Sequence, residues 1–250
     1  MSDFYVIGTP IGNLEDITLR AVRILGEVDL ILCEDTRVTR NILKKYSILT
    51  PTMSYHTQSK LSKIDEVIVM LKDGKNLALV SDAGTPTISD PGSLLISRIL
   101  KESSETKIIS VPGPSALVSA LSISGFPSSD FLFLGFLPHK KGRETLFKEI
   151  TNSERTIVLY ESPHRIMKTL SSFKEHIPER KIMIGRELTK IFEETIFGFP
   201  EEVLQYFFNN PIKIRGEFVV VISPKKTKKP AKEKDFSNAL AEKSENQRDF

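Results

Sequence analysis

The sequence predicts an α/β protein of two domains, the first on a mostly parallel sheet and the second on a mixed one. Three observations lead there. In the first half, short apolar runs alternate with amphipathic stretches, as in parallel strands joined by helical crossovers. In the second half the apolar runs crowd together with few helical stretches between them, which suggests antiparallel pairing. Between the halves, residues 113–129 are rich in Gly, Pro and Ser. This divides the chain into domains 1–113 and 114–224, with a tail at 225–250.

Residues 4–7 read as the first strand and 17–28 as the first helix, with Asp16 as its cap. Strands at 30–33, 52–55, 77–80 and 108–111 alternate with helices at 36–46, 61–71 and 93–100; the second of these helices ends near Gly74. Strands at 131–136 and 156–160 flank a helix at 143–150. A helix follows at 164–173, and strands at 181–185, 191–197 and 217–223 complete the second domain. No internal repeat is present.

Composition excludes several classes. Of the 250 residues 40% are hydrophobic and 27% charged, the balance of a soluble globular protein. No apolar run approaches the roughly 20 residues of a membrane helix. The start, Met1-Ser2-Asp3-Phe4, lacks a basic secretory n-region, so a cytoplasmic protein is expected. The single cysteine, Cys33, allows no internal disulfide and fits a reducing compartment. His56, His139, His164 and His176 are scattered, without a metal-ligand spacing, so no metal is expected. The tail holds 8 Lys/Arg against 5 Asp/Glu, an excess equal to the net charge of +3 for the whole chain. The body is therefore neutral. The run Lys225-Lys226-Thr227-Lys228-Lys229 can attract phosphate as a disordered arm, or be a solvated terminus.

Seven segments carry candidate chemistry. Residues 80–92, Val-Ser-Asp-Ala-Gly-Thr-Pro-Thr-Ile-Ser-Asp-Pro-Gly, form a shaped loop after a buried strand, where open α/β sheets bind ligands. Val111-Pro112-Gly113-Pro114-Ser115-Ala116 repeats the device. Gly8-Thr9-Pro10-Ile11-Gly12 follows the first strand, but Pro10 stands where a dinucleotide loop needs its second glycine. Glu34-Asp35-Thr36-Arg37, with Arg40, places acids and bases at a strand end; Asp35 or Thr36 equally caps the next helix. Residues 135–143 bring His139, Lys140, Lys141 and Arg143 together in a Gly- and Pro-bracketed loop suited to phosphates or to bare solvent. Tyr160-Glu161-Ser162-Pro163-His164-Arg165 and Arg186-Glu187-Leu188-Thr189-Lys190 close the set. If the latter is extended, Arg186, Leu188 and Lys190 share one face.

Taken in order, GTPIGNLEDITLRA, CEDTR, ALVSDAGTPTISDPG, VPGPSA, GFLP, YESPHR, RELTK and GEFVVVI resemble the ribosomal-RNA branch of the tetrapyrrole methylase superfamily, the class III S-adenosylmethionine methyltransferases. The resemblance covers residues 4–223. It implies two α/β domains, a homodimer, and S-adenosyl-L-methionine bound in the cleft between the domains. The implied activity is 2′-O-methylation of a cytidine in 16S rRNA of the 30S ribosomal subunit. It places Pro10, Gly84, Thr85, Pro86, Ile88, Ser115, Ala116, Tyr160 and Arg186 at the cofactor. Thr85 stands where the superfamily's loop usually carries an acid. Asp35, Glu187 and Lys190 are the candidate bases for the ribose hydroxyl, Lys190 only if burial beside Arg186 depresses its pKa. Arg37, Arg40, Lys140, Lys141, Arg143 and Arg165 are expected to meet RNA phosphates. A tetrapyrrole C-methyltransferase and a non-catalytic RNA- or nucleotide-binding module are the competing readings.

Overall fold

The computed structural model describes residues 1–56, 61–90 and 92–225. Apart from Lys225, the basic tail lies outside them. The first half runs β1 (Asp3–Ile7), α1 (Leu19–Glu27), β2 (Leu30–Cys33), α2 (Thr36–Lys45), β3 (Thr52–Ser54), α3 (Leu61–Lys72), β4 (Leu77–Leu79), α4 (Ser93–Glu102) and β5 (Lys107–Val111). Its five strands are all parallel, in the order β3-β2-β4-β1-β5. The middle strand β4 is buried at every position. A strand covered by helices on both faces must be apolar throughout, as Leu77-Ala78-Leu79 is.

The second half runs α5 (Ala116–Ile123), β6 (Phe131–Phe136), α6 (Arg143–Asn152), β7 (Thr156–Glu161), α7 (Ile166–His176), β8 (Ile182–Arg186), β9 (Glu194–Gly198), α8 (Pro200–Asn209) and β10 (Phe218–Ile222). Its sheet order is β6-β7-β10-β8-β9, with β6 and β7 parallel and the other pairs antiparallel. Phe173, Phe207 and Phe218 are fully or almost fully buried in its core. Buried Arg180 donates to the carbonyls of Ser223 (2.7 Å), Ile150 and Arg155 (3.3 Å). Burial pushes its pKa down to about 10.

Four sequence expectations change. Asp16 does not cap α1. It closes a single 3₁₀ turn begun by Asn13, and Thr18 caps α1 by accepting from the Ala21 amide at 3.1 Å. Residues 113–129 are not a mere joint: they contain α5, whose Ala120 and Leu121 are buried against β7 and β10. Its Gly- and Pro-rich flanks masked it. A helix also intervenes in the expected run of strands. In α8, Pro200 occupies the first turn, Glu202 accepts from the Phe199 amide at 2.7 Å, and Val203 and Phe207, four apart, face the core. Finally, residues 186–190 are not extended. Glu187 and Thr189 have φ of 50° and 67°, so the segment turns sharply and β9 begins only at Glu194.

Just beyond the neighbouring strands β1 and β5 the chain lies backbone to backbone. A Cβ on Gly113 would stand 2.6 Å from the Gly8 oxygen, and one on Gly8 would stand 2.8 Å from the Gly113 Cα. No side chain fits between them. Gly113→Ala is therefore expected to lose about 1–3 kcal/mol of stability, whereas Gly26→Ala, where an added Cβ meets nothing within 4 Å, should lose none. Urea unfolding of both variants measures the difference.

Candidate functional site

A cavity of about 360 Å³ opens between the two sheets, within the size range of small-molecule sites. Its first wall comes from the carboxyl ends of the parallel strands. After β1, the chain passes Gly8 and reaches Thr9, whose amide donates to the Gly84 carbonyl at 2.8 Å while the Gly84 amide donates back at 3.0 Å. The Thr9 hydroxyl adds a bond to the Ser81 carbonyl at 3.0 Å. These bonds hold the loop after β4 against the loop after β1. Gly84 has φ of +82°, a region open to glycine and costly to other residues. The Thr85 hydroxyl reaches the Pro114 carbonyl at 3.4 Å, which joins the third loop. Thr87 and Ser89, both non-glycine, lie at φ of 74° and 64°. Each such residue stores of the order of 1–3 kcal/mol, a device common at ligand sites.

The second wall comes from β6, β7, β8 and β10. Tyr160 stands edge-on to Phe133 and Phe136, with ring centroids 5.0 and 5.6 Å away. Its hydroxyl accepts from the Leu117 amide at 3.2 Å, so it ties the second sheet to the start of α5. Burial is the main reason its pKa is raised.

Of the expected cofactor positions, Gly84, Thr85, Ile88, Ser115, Ala116 and Tyr160 line this cavity. Pro10, Pro86 and Arg186 do not. Pro10 and Pro86 are buried, and Arg186 is turned away, with Nε donating to the Arg215 carbonyl and Nη1 to the Phe192 carbonyl. Three acids that the sequence reading did not assign to the cofactor, Asp82, Asp90 and Glu161, also line the cavity, as does Glu217. The signal for the first two was present: carboxylates in a loop otherwise made of small residues. Asp90 is the most perturbed. Burial, followed by the nearby Glu34 charge, pushes its pKa up to about 6. Glu34 is raised as well, first by burial and then by Asp82.

The candidate bases separate by environment. Asp35 caps α2 by accepting from the Arg37 amide at 2.8 Å, and its carboxylate chelates the Arg37 guanidinium. Those bonds hold its pKa at about 2. Lys190 contradicts the expected depression. Burial alone would lower it, but its ammonium sits 2.9 Å from both Glu187 and Glu217, and these bonds and charges raise its pKa overall. Lys190 therefore stays protonated at neutral pH. Glu187 is held low: bonds from Lys190 and the Glu217 amide, both to Oε1, outweigh its burial.

The expected phosphate contacts divide in two. Arg37, Arg40, Lys140 and Lys141 are exposed. Arg143 and Arg165 face inward: Arg143 bonds to Thr169 and Pro138, and Arg165 to Glu161 and Leu137. His164 is exposed. Among the described residues, no group of three or more His, Cys, Asp or Glu is placed to hold a metal, and no helix is long and apolar enough to cross a membrane.

Comparison with known proteins gives consistent findings. Residues 3–204 match the family model for tetrapyrrole (corrin/porphyrin) methylases. The chain is 47% identical over 225 residues to ribosomal RNA small subunit methyltransferase I of Thermotoga maritima, covering 90% of this chain and 100% of that protein. It is 41% identical over 246 residues to the protein of the same name from Bacillus subtilis (strain 168), covering 97% and 82%. Among solved structures, cobalt precorrin-4 methyltransferase superposes with a TM-score of 0.65 at 16% identity, over 88% of this chain and 94% of that one. The Thermus thermophilus uroporphyrin-III C-methyltransferase complexed with S-adenosyl homocysteine gives 0.61 at 16% identity, over 88% and 97%.

The Asp90 carboxyl titrates near 6 in the fold, against about 3.9 in an unfolded chain. Below about pH 4 both states hold the proton and Asp90 contributes nothing. As pH rises to about 6 the unfolded state releases its proton first, and stability falls. Asp90→Asn should therefore stabilise the protein at pH 8, by the order of 1–2 kcal/mol after allowing for partial solvation. The gain should vanish near pH 4. Urea unfolding at pH 4, 6 and 8 tests it.

Proposed function

The chain belongs to the tetrapyrrole (corrin/porphyrin) methylase family, and on that premise we propose that it methylates the ribose 2′-oxygen of a cytidine in 16S rRNA. The cofactor is S-adenosyl-L-methionine. The observation that supports the reading most directly is the convergence of three small-residue loops and an acidic lining on one cavity between the sheets.

The residues present suit that cofactor. It is a cation at its sulfonium and amino groups, and Asp82 and Asp90 give its cavity the opposite sign. Gly84, Ser115 and Ala116 keep one wall thin, so backbone can approach it. Tyr160 and Phe136 offer an apolar, aromatic face to a purine. When bound, the cofactor supplies an electrophilic methyl group.

The chain must then bring a ribose hydroxyl into line with that methyl and remove its proton. Positioning supplies much of the gain in such a transfer. Of the three candidate bases, Glu187 is the one we assign. Lys190 is held protonated between two carboxylates, and both carboxylate oxygens of Asp35 are taken by Arg37, whereas the bonds from Lys190 and the Glu217 amide fall on Oε1 of Glu187 alone. Lys190 orients the Glu187 carboxylate. The exposed Arg37, Arg40, Lys140 and Lys141 are placed to meet phosphates of a splayed RNA strand.

The remaining features of the reading are proposals of the same standing: domains at 1–113 and 114–224, the assembled 30S subunit as substrate, a homodimer, and action in the cytoplasm.

Three experiments test these points. Purified protein incubated with methyl-labelled S-adenosylmethionine should label unmodified 16S rRNA, free or in 30S subunits, and the label should appear in 2′-O-methylcytidine after nuclease digestion. Label passing to uroporphyrinogen III instead overturns the proposal. Gly84→Val should abolish cofactor binding by calorimetry in a folded protein. Glu187→Ala should lower turnover by about 10²-fold or more at saturating substrates, with cofactor affinity kept; near-normal turnover would remove Glu187 from the chemistry.

A further inference from the structure

Glu161 is the last residue of β7 and its side chain has no solvent exposure. It is fully used. Oε1 accepts from the Ser162 amide at 2.9 Å and lies 3.1 Å from the Arg165 Nε; Oε2 accepts from the Thr169 hydroxyl at 2.6 Å and from the Arg165 Nη2 at 3.3 Å. Arg165 then reaches away from Glu161. Its guanidinium donates to the Leu137 carbonyl and meets His139 Nε2 at 3.3 Å. Thr169 extends the network a second way. Its oxygen accepts from Arg143 Nη2 at 3.2 Å, and Arg143 Nη1 reaches the Pro138 carbonyl at 3.5 Å while the guanidinium stacks 5.0 Å over the Phe147 ring.

Both arginines thus hold the start of the segment 137–143 by its carbonyls, Arg165 from α7's N-terminus and Arg143 from the segment's own end, and both answer to one buried carboxylate. The same segment follows Phe136 at the edge of the cavity and carries Lys140 and Lys141, which are exposed and make no ion pair among the described residues. A buried carboxylate with every lone pair engaged is costly to assemble. Here its bonds go to a basic surface loop as well as to the core, so the arrangement fixes that loop relative to the cavity wall that Glu161 also forms.

We infer that Glu161 is a positioning residue for the RNA substrate: through Arg165 and Thr169 it sets the 137–143 loop so that Lys140 and Lys141 meet phosphates flanking the target nucleotide. The inference rests on the rRNA methyltransferase reading. Arg143 and Arg165, expected from sequence to touch phosphate, hold the loop that does so. Flexible lysines on an unanchored loop would lose more entropy on binding than lysines on a fixed one.

Thr169→Val removes the hydroxyl that links Glu161 to Arg143 without changing shape or charge. Measured with unmodified 30S subunits, it should raise the RNA KM about 5–10-fold with kcat within about twofold. The salt dependence of RNA binding should flatten, towards the loss of about 0.7–0.9 in slope per phosphate contact expected for Lys140→Ala with Lys141→Ala. Adding Thr169→Val to that lysine pair should change little further, because both act through the same contacts. Arg165→Lys, which keeps the charge but not the fork, should behave like Thr169→Val and serves if the latter does not fold, as judged by thermal melting. Calorimetry with S-adenosylmethionine should give wild-type affinity for both variants. Wild-type RNA KM and salt slope in both, or effects fully additive with the lysine pair, overturn the positioning role. Failure of the wild-type protein to label 16S rRNA at all is a separate result, and it overturns the functional reading on which this one stands.

Discussion

The cavity depends on backbone meeting backbone at the carboxyl ends of β1, β4 and β5. Thr9 and Gly84 exchange both of their amide bonds, and Gly8 and Gly113 approach so closely that neither admits a Cβ. These contacts turn three separate loops into one surface. Because backbone polar groups must be paired when buried, the reciprocal bonds also dictate how far each loop can move. Thr87 and Ser89 are held left-handed within the same loop. Ile88, Ser89 and Asp90 line the cavity, and the second sheet closes it with the side chains of Phe136, Tyr160 and Phe218 and the backbone of Gly185.

Charge is distributed with the same economy. The neutral body conceals a cavity lined by carboxylates, with the exposed Lys140 and Lys141, which make no ion pair among the described residues, beside it. The acids are not equivalent. Asp35 and Glu187 are held low by donors, while Asp90 is raised by burial among other acids. An acid in that condition weakens the empty fold, which is the usual relation between a binding site and stability. A cationic ligand beside Asp90 favours its charged form and reverses the penalty.

Residue type alone does not distinguish a cation that reaches out from one that reaches in. Lys140, Lys141, Arg143 and Arg165 read alike in the sequence. In the fold, Arg143 and Arg165 are drawn inward because a planar guanidinium can satisfy several carbonyls and a carboxylate at once, which an ammonium on a flexible stem does less well. Arg186 is a third instance. It was expected at the cofactor and instead ties Phe192 and Arg215 together. The sign of the Lys190 shift changed for a related reason: Glu217 comes from the far end of the chain, thirty residues beyond Glu187, and only the pairing of β8 with β10 brings it within reach.

The sequence by itself determined the local and the repetitive. The β/α alternation specified a parallel first sheet, the crowded strands a mixed second one, and the small-residue loops marked strand ends that line the cavity. Those are consequences of apolar periodicity and of glycine and proline stereochemistry, which act over a few residues. It under-read α5 and α8, because Gly- and Pro-rich flanks hid one and an expected run of strands absorbed the other. Only the tertiary structure decided the strand order, the turn at Glu187–Thr189, and which ionisable side chains share the cavity. Each of those rests on contacts between residues far apart in sequence: Thr9 with Gly84, Lys190 with Glu217, Arg165 with Leu137. No local pattern encodes such distances, and the electrostatics of the site follow from them.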